Sequence, residues 1–158
     1  MNNDIRQVSL DEMFPLMEEQ LKEGGTVVFK PKGTSMLPLI RQGVDSVSIV
    51  KNTAHLKKYD IPLYRRSDGS FILHRILKTF PDGTYAMCGD NQVVFEYGIS
   101  DENIIGVAQG IYRKDKYIPL SSFRMKIYSR LLFFKRFWRK SFMRRAIGWG
   151  VRKCRITK

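Results

Sequence analysis

The sequence predicts a mainly β protein: an antiparallel, partly closed β fold with a short N-terminal helix and a C-terminal amphipathic helical tail. Three observations predict it. Between Thr26 and Arg113 short apolar runs follow one another with no long helical period between them, which disfavours parallel α/β layering. Turn signals at Gln42-Gly43, Ser67-Asp68-Gly69 and Pro81-Asp82-Gly83 separate those runs. From Ile118 onward the apolar period changes to three or four residues and the acids disappear. The chain therefore divides into a packing helix over 1–25, a β domain over 26–117 and a basic tail over 118–158.

The elements can be justified in order. Ser9 and Glu12 have capping-box spacing, and Leu10, Met13, Phe14, Met17 and Leu21 recur at helical intervals. Pro15 conflicts with a start at Ser9, because a proline that deep removes a backbone hydrogen bond. A start near Phe14, with Pro15 in the first turn, removes the conflict. Gly24-Gly25 ends the helix. The strands expected next are Thr26–Lys30, Asp45–Lys51, Ile61–Arg65, Ser70–Thr79, Thr84–Met87 and Asn103–Tyr112. The Asp-Gly pairs before Ser70 and Thr84 predict hairpins. In the tail, Phe123, Ile127, Leu131, Phe134, Trp138, Phe142, Ala146 and Trp149 form an apolar stripe interleaved with Arg and Lys, and Arg145 interrupts it.

Charge separates the tail from the body. The chain of 158 residues carries a net charge of +13. Residues 1–117 hold 15 basic and 15 acidic side chains, whereas residues 118–158 hold 13 basic and none acidic. A neutral body with a cationic appendage points to a polyanionic partner, either a membrane surface or nucleic acid. The longest strictly apolar run in the tail, Leu131–Phe134, is far short of the roughly 20 residues a span requires. Met1-Asn2-Asn3-Asp4 lacks the basic start of a signal peptide. Cys88 and Cys154 read as two reduced thiols. With His55 and His74 the only histidines and no ligand spacing, neither a metal site nor a cofactor is expected.

The chemistry is concentrated in three places. Ser35 lies in Lys32-Gly33-Thr34-Ser35-Met36-Leu37-Pro38, just after an apolar strand. His74 lies in Leu73-His74-Arg75-Ile76. Asp90 lies in Gly89-Asp90-Asn91. A serine between glycine and proline is either a turn residue or a nucleophile. A histidine and an aspartate at a distance supply the base and the group that orients it. Gly-Asp-Asn is also ordinary turn chemistry, and Glu96 could orient His74 instead. His55 reads as a solvated loop residue, and Arg75 as the partner of a nearby carboxylate.

Gly33-Thr34-Ser35-Met36-Leu37-Pro38 resembles the Gly-x-Ser-Met-x-Pro box of the signal peptidase I and LexA-like serine peptidases. Lys58-Tyr59-Asp60-Ile61-Pro62-Leu63-Tyr64 resembles their next box, and Gly89-Asp90-Asn91 their Gly-Asp-Asn box. Leu73-His74-Arg75-Ile76 matches the position of the general base. There the bacterial signal peptidases have Lys-Arg-Val, and the archaeal and endoplasmic-reticulum type has His-Arg-Ile. The resemblance covers roughly Thr26 to Arg113. It implies a partly closed β fold of the signal peptidase and LexA type, and a serine endopeptidase acting on a leader, signal or precursor peptide.

In that reading Ser35 is the nucleophile, His74 the base and Asp90 its support. Gly33, Thr34 and Met36 form the oxyanion and substrate-binding ground. The Ser35 N–H is the natural first oxyanion donor. Relatives often carry a donating serine two residues before the nucleophile, where this chain has Gly33. The family's usual membrane-spanning anchor is missing from this sequence. The tail is expected to substitute, with Lys135, Arg136, Arg139 and Lys140 on anionic lipid and Trp138 at the headgroup level. That places the protein in the cytoplasm, peripheral on the inner face of the membrane. The alternatives are a LexA-like self-cleaving regulator and a non-catalytic peptide-binding module, each with a tail that binds nucleic acid.

Overall fold

A computed structural model of the chain describes residues 10–114 and 116–134. The chain divides into two compact units, Met1–Ser122 and Phe123–Lys158. In the first unit, helix α1 (Leu10–Lys22) precedes nine strands: β1 (Thr26–Phe29), β2 (Asp45–Val50), β3 (Pro62–Arg65), β4 (Phe71–Leu73), β5 (Arg75–Thr79), β6 (Tyr85–Cys88), β7 (Glu96–Ile99), β8 (Ile104–Arg113) and β9 (Lys116–Pro119). The second unit contributes helix α2 over 123–134.

α1 begins at Leu10, so Pro15 lies inside it rather than in its first turn. The missing N–H is offset by what the helix buries. Met17 and Leu21 are each 2% exposed, and the Phe14 ring lies 4.7 Å from that of Phe71. The Gly24 and Gly25 N–H groups close the helix on the carbonyls of Leu21 and Gln20, with Gly24 at φ +79 as such a C-terminal turn requires.

All strand pairings are antiparallel, in two sheets. The larger runs β1-β2-β8-β3-β4, with β9 also on β8; the smaller runs β5-β6-β7. Neither sheet closes by hydrogen bonding. The expected partial closure is instead an open six-stranded sheet whose two end strands, β1 and β4, line one cavity. Both Asp-Gly signals make the predicted hairpins. In each, the aspartate carboxylate accepts from the backbone N–H two residues on, at 2.8 Å for Asp68 and 3.0 Å for Asp82.

The strand expected as Ser70–Thr79 is divided. Its first half, β4, pairs β3, and its second half, β5, pairs β6. The chain passes from one sheet to the other at His74. A buried cluster of Leu56, Tyr64, Ile76, Tyr85 and Met87 draws on both sheets. Tyr59 N–H to Ile76 O (2.8 Å) and Ile76 N–H to Asp60 O (2.9 Å) tie β5 to the approach to β3. β7 and β9 were not expected. β9 runs through the expected 117/118 boundary because Tyr117 and Ile118 pair with Tyr112 and Ile111 of β8.

Among the described residues no helix is long and apolar enough to cross a membrane. Cys88 is buried, and its thiol donates to Gln92 O at 3.4 Å. Cys154 and the expected lipid contacts Lys135, Arg136, Trp138, Arg139 and Lys140 lie outside the described residues.

Candidate functional site

The site is built where three irregular segments meet. Ser35 lies in the turn between β1 and β2. Gly33 enters that turn at φ +91, and its N–H donates to the Gln42 side chain at 3.1 Å. Leu37 N–H returns to Thr34 O at 3.2 Å and Ile40 N–H to Met36 O at 3.0 Å. The Leu37–Pro38 peptide is cis. Met36, Leu39 and Ile40 are buried and anchor the turn in the core.

Gly89-Asp90-Asn91 packs on this turn. Asn91 N–H donates to Ser35 O at 2.7 Å, and the Asn91 side-chain amide donates to Thr34 O at 3.3 Å. Gly89 is the point of closest approach: a Cβ there would lie 2.6 Å from Ser35 O and 2.9 Å from Ser35 Cβ. Only glycine fits so near another backbone. Arg75 pairs with Cys88 across β5 and β6, so the segment that follows β6 and packs on the serine turn begins opposite the start of β5, the strand that follows His74.

His74 is 2% exposed. Its Nδ1 lies 3.1 Å from Glu96 Oε1 and 3.2 Å from the Tyr64 hydroxyl. Glu96 is gripped by Arg66, whose Nε donates to Oε2 at 2.8 Å and whose other guanidinium nitrogen meets Oε1. Tyr64 donates to the same carboxylate. The proton assignment follows. A carboxylate only accepts, so Nδ1 carries the proton and Nε2 keeps its lone pair. Burial lowers the His74 pKa from its ordinary 6.5, and the Glu96 charge opposes that shift without cancelling it. Burial alone would raise the Glu96 carboxyl, but its hydrogen bonds from Arg66 and Tyr64 prevail and lower it. The result is a neutral, oriented imidazole beside a fixed anion.

The two acids that the sequence left open as partners of His74 are placed differently. Both its carboxylate oxygens are held by Arg75, each at 2.8 Å. The two side chains are 1% and 3% exposed. The Asp90 charge also acts on His74 and raises its pKa, as a smaller influence than Glu96. Its structural work is to fix the Gly89–Asn91 segment to β5, and Arg75 extends the clamp to Tyr59 O at 3.1 Å. The carboxylate on His74 is Glu96, which becomes the first residue of the unforeseen strand β7. The sequence offers Glu96 as the alternative to Asp90, but not the strand that carries it.

Of the expected oxyanion ground, Gly33 has its N–H occupied by Gln42. The N–H groups of Thr34, Ser35 and Met36 make no hydrogen bond among the described residues. Ser35 is half-buried and Met36 is buried. The Ser35 hydroxyl makes no hydrogen bond among the described residues either, including to His74. Ser35 borders a cavity of about 130 Å³, walled by Phe29 and Pro31 on the β1 side and by Leu63, Phe71 and Leu73 on the β3–β4 side. His55 is exposed, as expected of a loop residue, yet its Nδ1 meets Asp101 at 3.0 Å, away from this site.

No protein-family model and no curated protein matches the chain.

Proposed function

We propose that the chain is a serine endopeptidase of the signal peptidase and LexA-like type, cutting a leader, signal or precursor peptide. The observation that carries this reading is the buried His74–Glu96 pair, with Nδ1 at 3.1 Å from the carboxylate, in a fold where Gly89 packs against the Ser35 turn. An imidazole held in one tautomer by a carboxylate is the arrangement that activates a hydroxyl. Ser35 attacks the scissile carbonyl. His74 Nε2 takes its proton and later delivers it to the leaving amine, and Glu96 stabilises the imidazolium between the two steps. The unbonded N–H groups of Ser35 and Met36 receive the oxyanion. A substrate strand enters between the ends of β1 and β4, where main-chain bonds hold it and the cavity takes one side chain.

The same reading sets the enzyme on an anionic membrane surface. α2 leaves Phe123, Ile127, Leu131 and Phe134 between 41% and 76% exposed, all within one face at helical spacing. Arg124, Lys126 and Arg130 accompany them, with no acid beyond residue 118. An apolar face with cations at its margins suits lipid headgroups better than the phosphates of nucleic acid. The test is cleavage of a co-expressed precursor peptide. Ser35→Ala and His74→Ala must each abolish it with folding intact; retained cleavage in either removes the proposed mechanism.

A further inference from the structure

The Ser35 turn supplies few donors of its own. Gly33 N–H is taken by Gln42, which leaves the main-chain N–H groups of Ser35 and Met36, and Met36 is buried. A side chain without a role so far lies beside them. Gly89-Asp90-Asn91-Gln92 is a turn closed by Gln92 N–H on Gly89 O at 3.0 Å, and the Cys88 thiol donates to Gln92 O at 3.4 Å. The Gln92 backbone is thus held on both sides. The two carboxamides of this turn differ. The Asn91 amide donates to Thr34 O, whereas Gln92 is exposed and its side chain makes no hydrogen bond among the described residues. The bare Cα of Gly89 gives that side chain its place: a Cβ there would stand 3.0 Å from Gln92 Oε1 and 2.9 Å from Ser35 Cβ. Gln92 Oε1 and Ser35 Cβ are therefore less than about 6 Å apart.

We propose that Gln92 is a further catalytic residue, whose side-chain amide donates a hydrogen bond to the oxyanion formed on Ser35. The inference rests on the peptidase reading, since without an attacked carbonyl there is no oxyanion. In a tetrahedral intermediate the oxyanion stands roughly 3 Å from the serine Cβ, and its donors lie about 2.7–3.1 Å from the oxyanion. A donor within about 6 Å of Ser35 Cβ can therefore meet it. Gln92 Nε2 carries two hydrogens and shares its carbon with Oε1, so rotation of a side chain that no other group holds brings it into that range. The donor is strongest where charge develops in the transition state, which lowers the barrier without tightening the ground state. Being neutral, the amide does this without altering the charge around His74.

The experiment is the rate at which a fluorophosphonate labels the purified full chain. Ser35 Oγ bonds to phosphorus, fluoride leaves and His74 Nε2 takes the hydroxyl proton, while the phosphonyl oxygen occupies the oxyanion position. Wild type should be labelled at Ser35, and Ser35→Ala should not. Gln92→Ala should react about 10²-fold more slowly, with its melting temperature unchanged because Gln92 is exposed. Gln92→Glu keeps the shape without the donor hydrogens and should be at least as slow. The acid-limb midpoint of the labelling rate should be the same in Gln92→Ala as in wild type. Labelling of Gln92→Ala or of Gln92→Glu at the wild-type rate would overturn the proposal and leave the peptidase reading intact. A midpoint that moves in Gln92→Ala would also overturn it, by assigning the effect to His74. A wild-type chain that takes no label at Ser35 would remove the activated serine, and this donor with it.

Discussion

Glu96 Oε1 lies 3.1 Å from Nδ1 of His74, across the gap between a residue at the junction of β4 and β5 and the first residue of β7. This contact determines which imidazole nitrogen can act as a base. It also divides the work of the two neighbouring acids: Glu96 serves the histidine, and Asp90 serves the backbone through Arg75.

That division predicts different failures. Glu96→Gln takes the opposing charge and one acceptor from Arg66, but the Arg66 side chain is 35% exposed and can be hydrated, so the fold should lose little. Activity should fall about 10²–10⁴-fold, since the imidazolium loses its anion. Asp90→Asn strands a guanidinium whose side chain is 3% exposed and should cost about 3–5 kcal/mol in urea unfolding. Equal stability losses in the two variants would refute the assignment.

The pH profile of cleavage follows from the direction of the His74 shift. The base works when neutral, and burial lowers its pKa below 6.5. The acid limb of kcat/KM should therefore have its midpoint below 6.5. Glu96 raises this pKa, so Glu96→Gln should move the midpoint further toward acid while lowering the plateau. A midpoint that stays fixed in this variant would separate Glu96 from the titrating group.

Gly89→Ala probes the junction between the serine turn and the histidine strand. The added methyl would meet the Ser35 carbonyl at 2.6 Å and Ser35 Cβ at 2.9 Å. Overpacking against backbone costs about 1–3 kcal/mol, and the turn that gives way is the one bearing Ser35, the proposed nucleophile. Cleavage should drop much more than the melting temperature. An Ala variant with unaltered kcat would mean that this approach does not position Ser35.

Acid stability should depend on a group outside the site. Asp45 is fully buried in β2. Burial alone would raise its carboxyl, but hydrogen bonds from Arg113 and Arg41 hold it well below the usual carboxylate range. A depressed carboxylate stabilises the fold above its unfolded value of 3.8 and progressively loses that contribution as pH falls through its folded value. Asp45→Asn should therefore be destabilised at neutral pH and differ less from wild type as the medium is acidified. A gap that does not narrow would assign the cost to packing alone.

The sequence by itself determined the local features. Alternating apolar residues and Asp-Gly turns marked most strands and both hairpins, because side-chain period and turn chemistry act over a few residues. Chemical type also marked Ser35 and His74 as residues of interest. The sequence could not show that the run from Ser70 to Thr79 changes sheets at His74, since period two is the same whichever strand is the partner. Nor could it choose between Asp90 and Glu96. That choice depended on two arginines: Arg75 next to the histidine captures Asp90, and Arg66, thirty residues before Glu96, pins the second acid where Nδ1 can reach it. Only the tertiary structure decided this, because competition among buried charges is settled by distances between strands and leaves no mark in residue spacing.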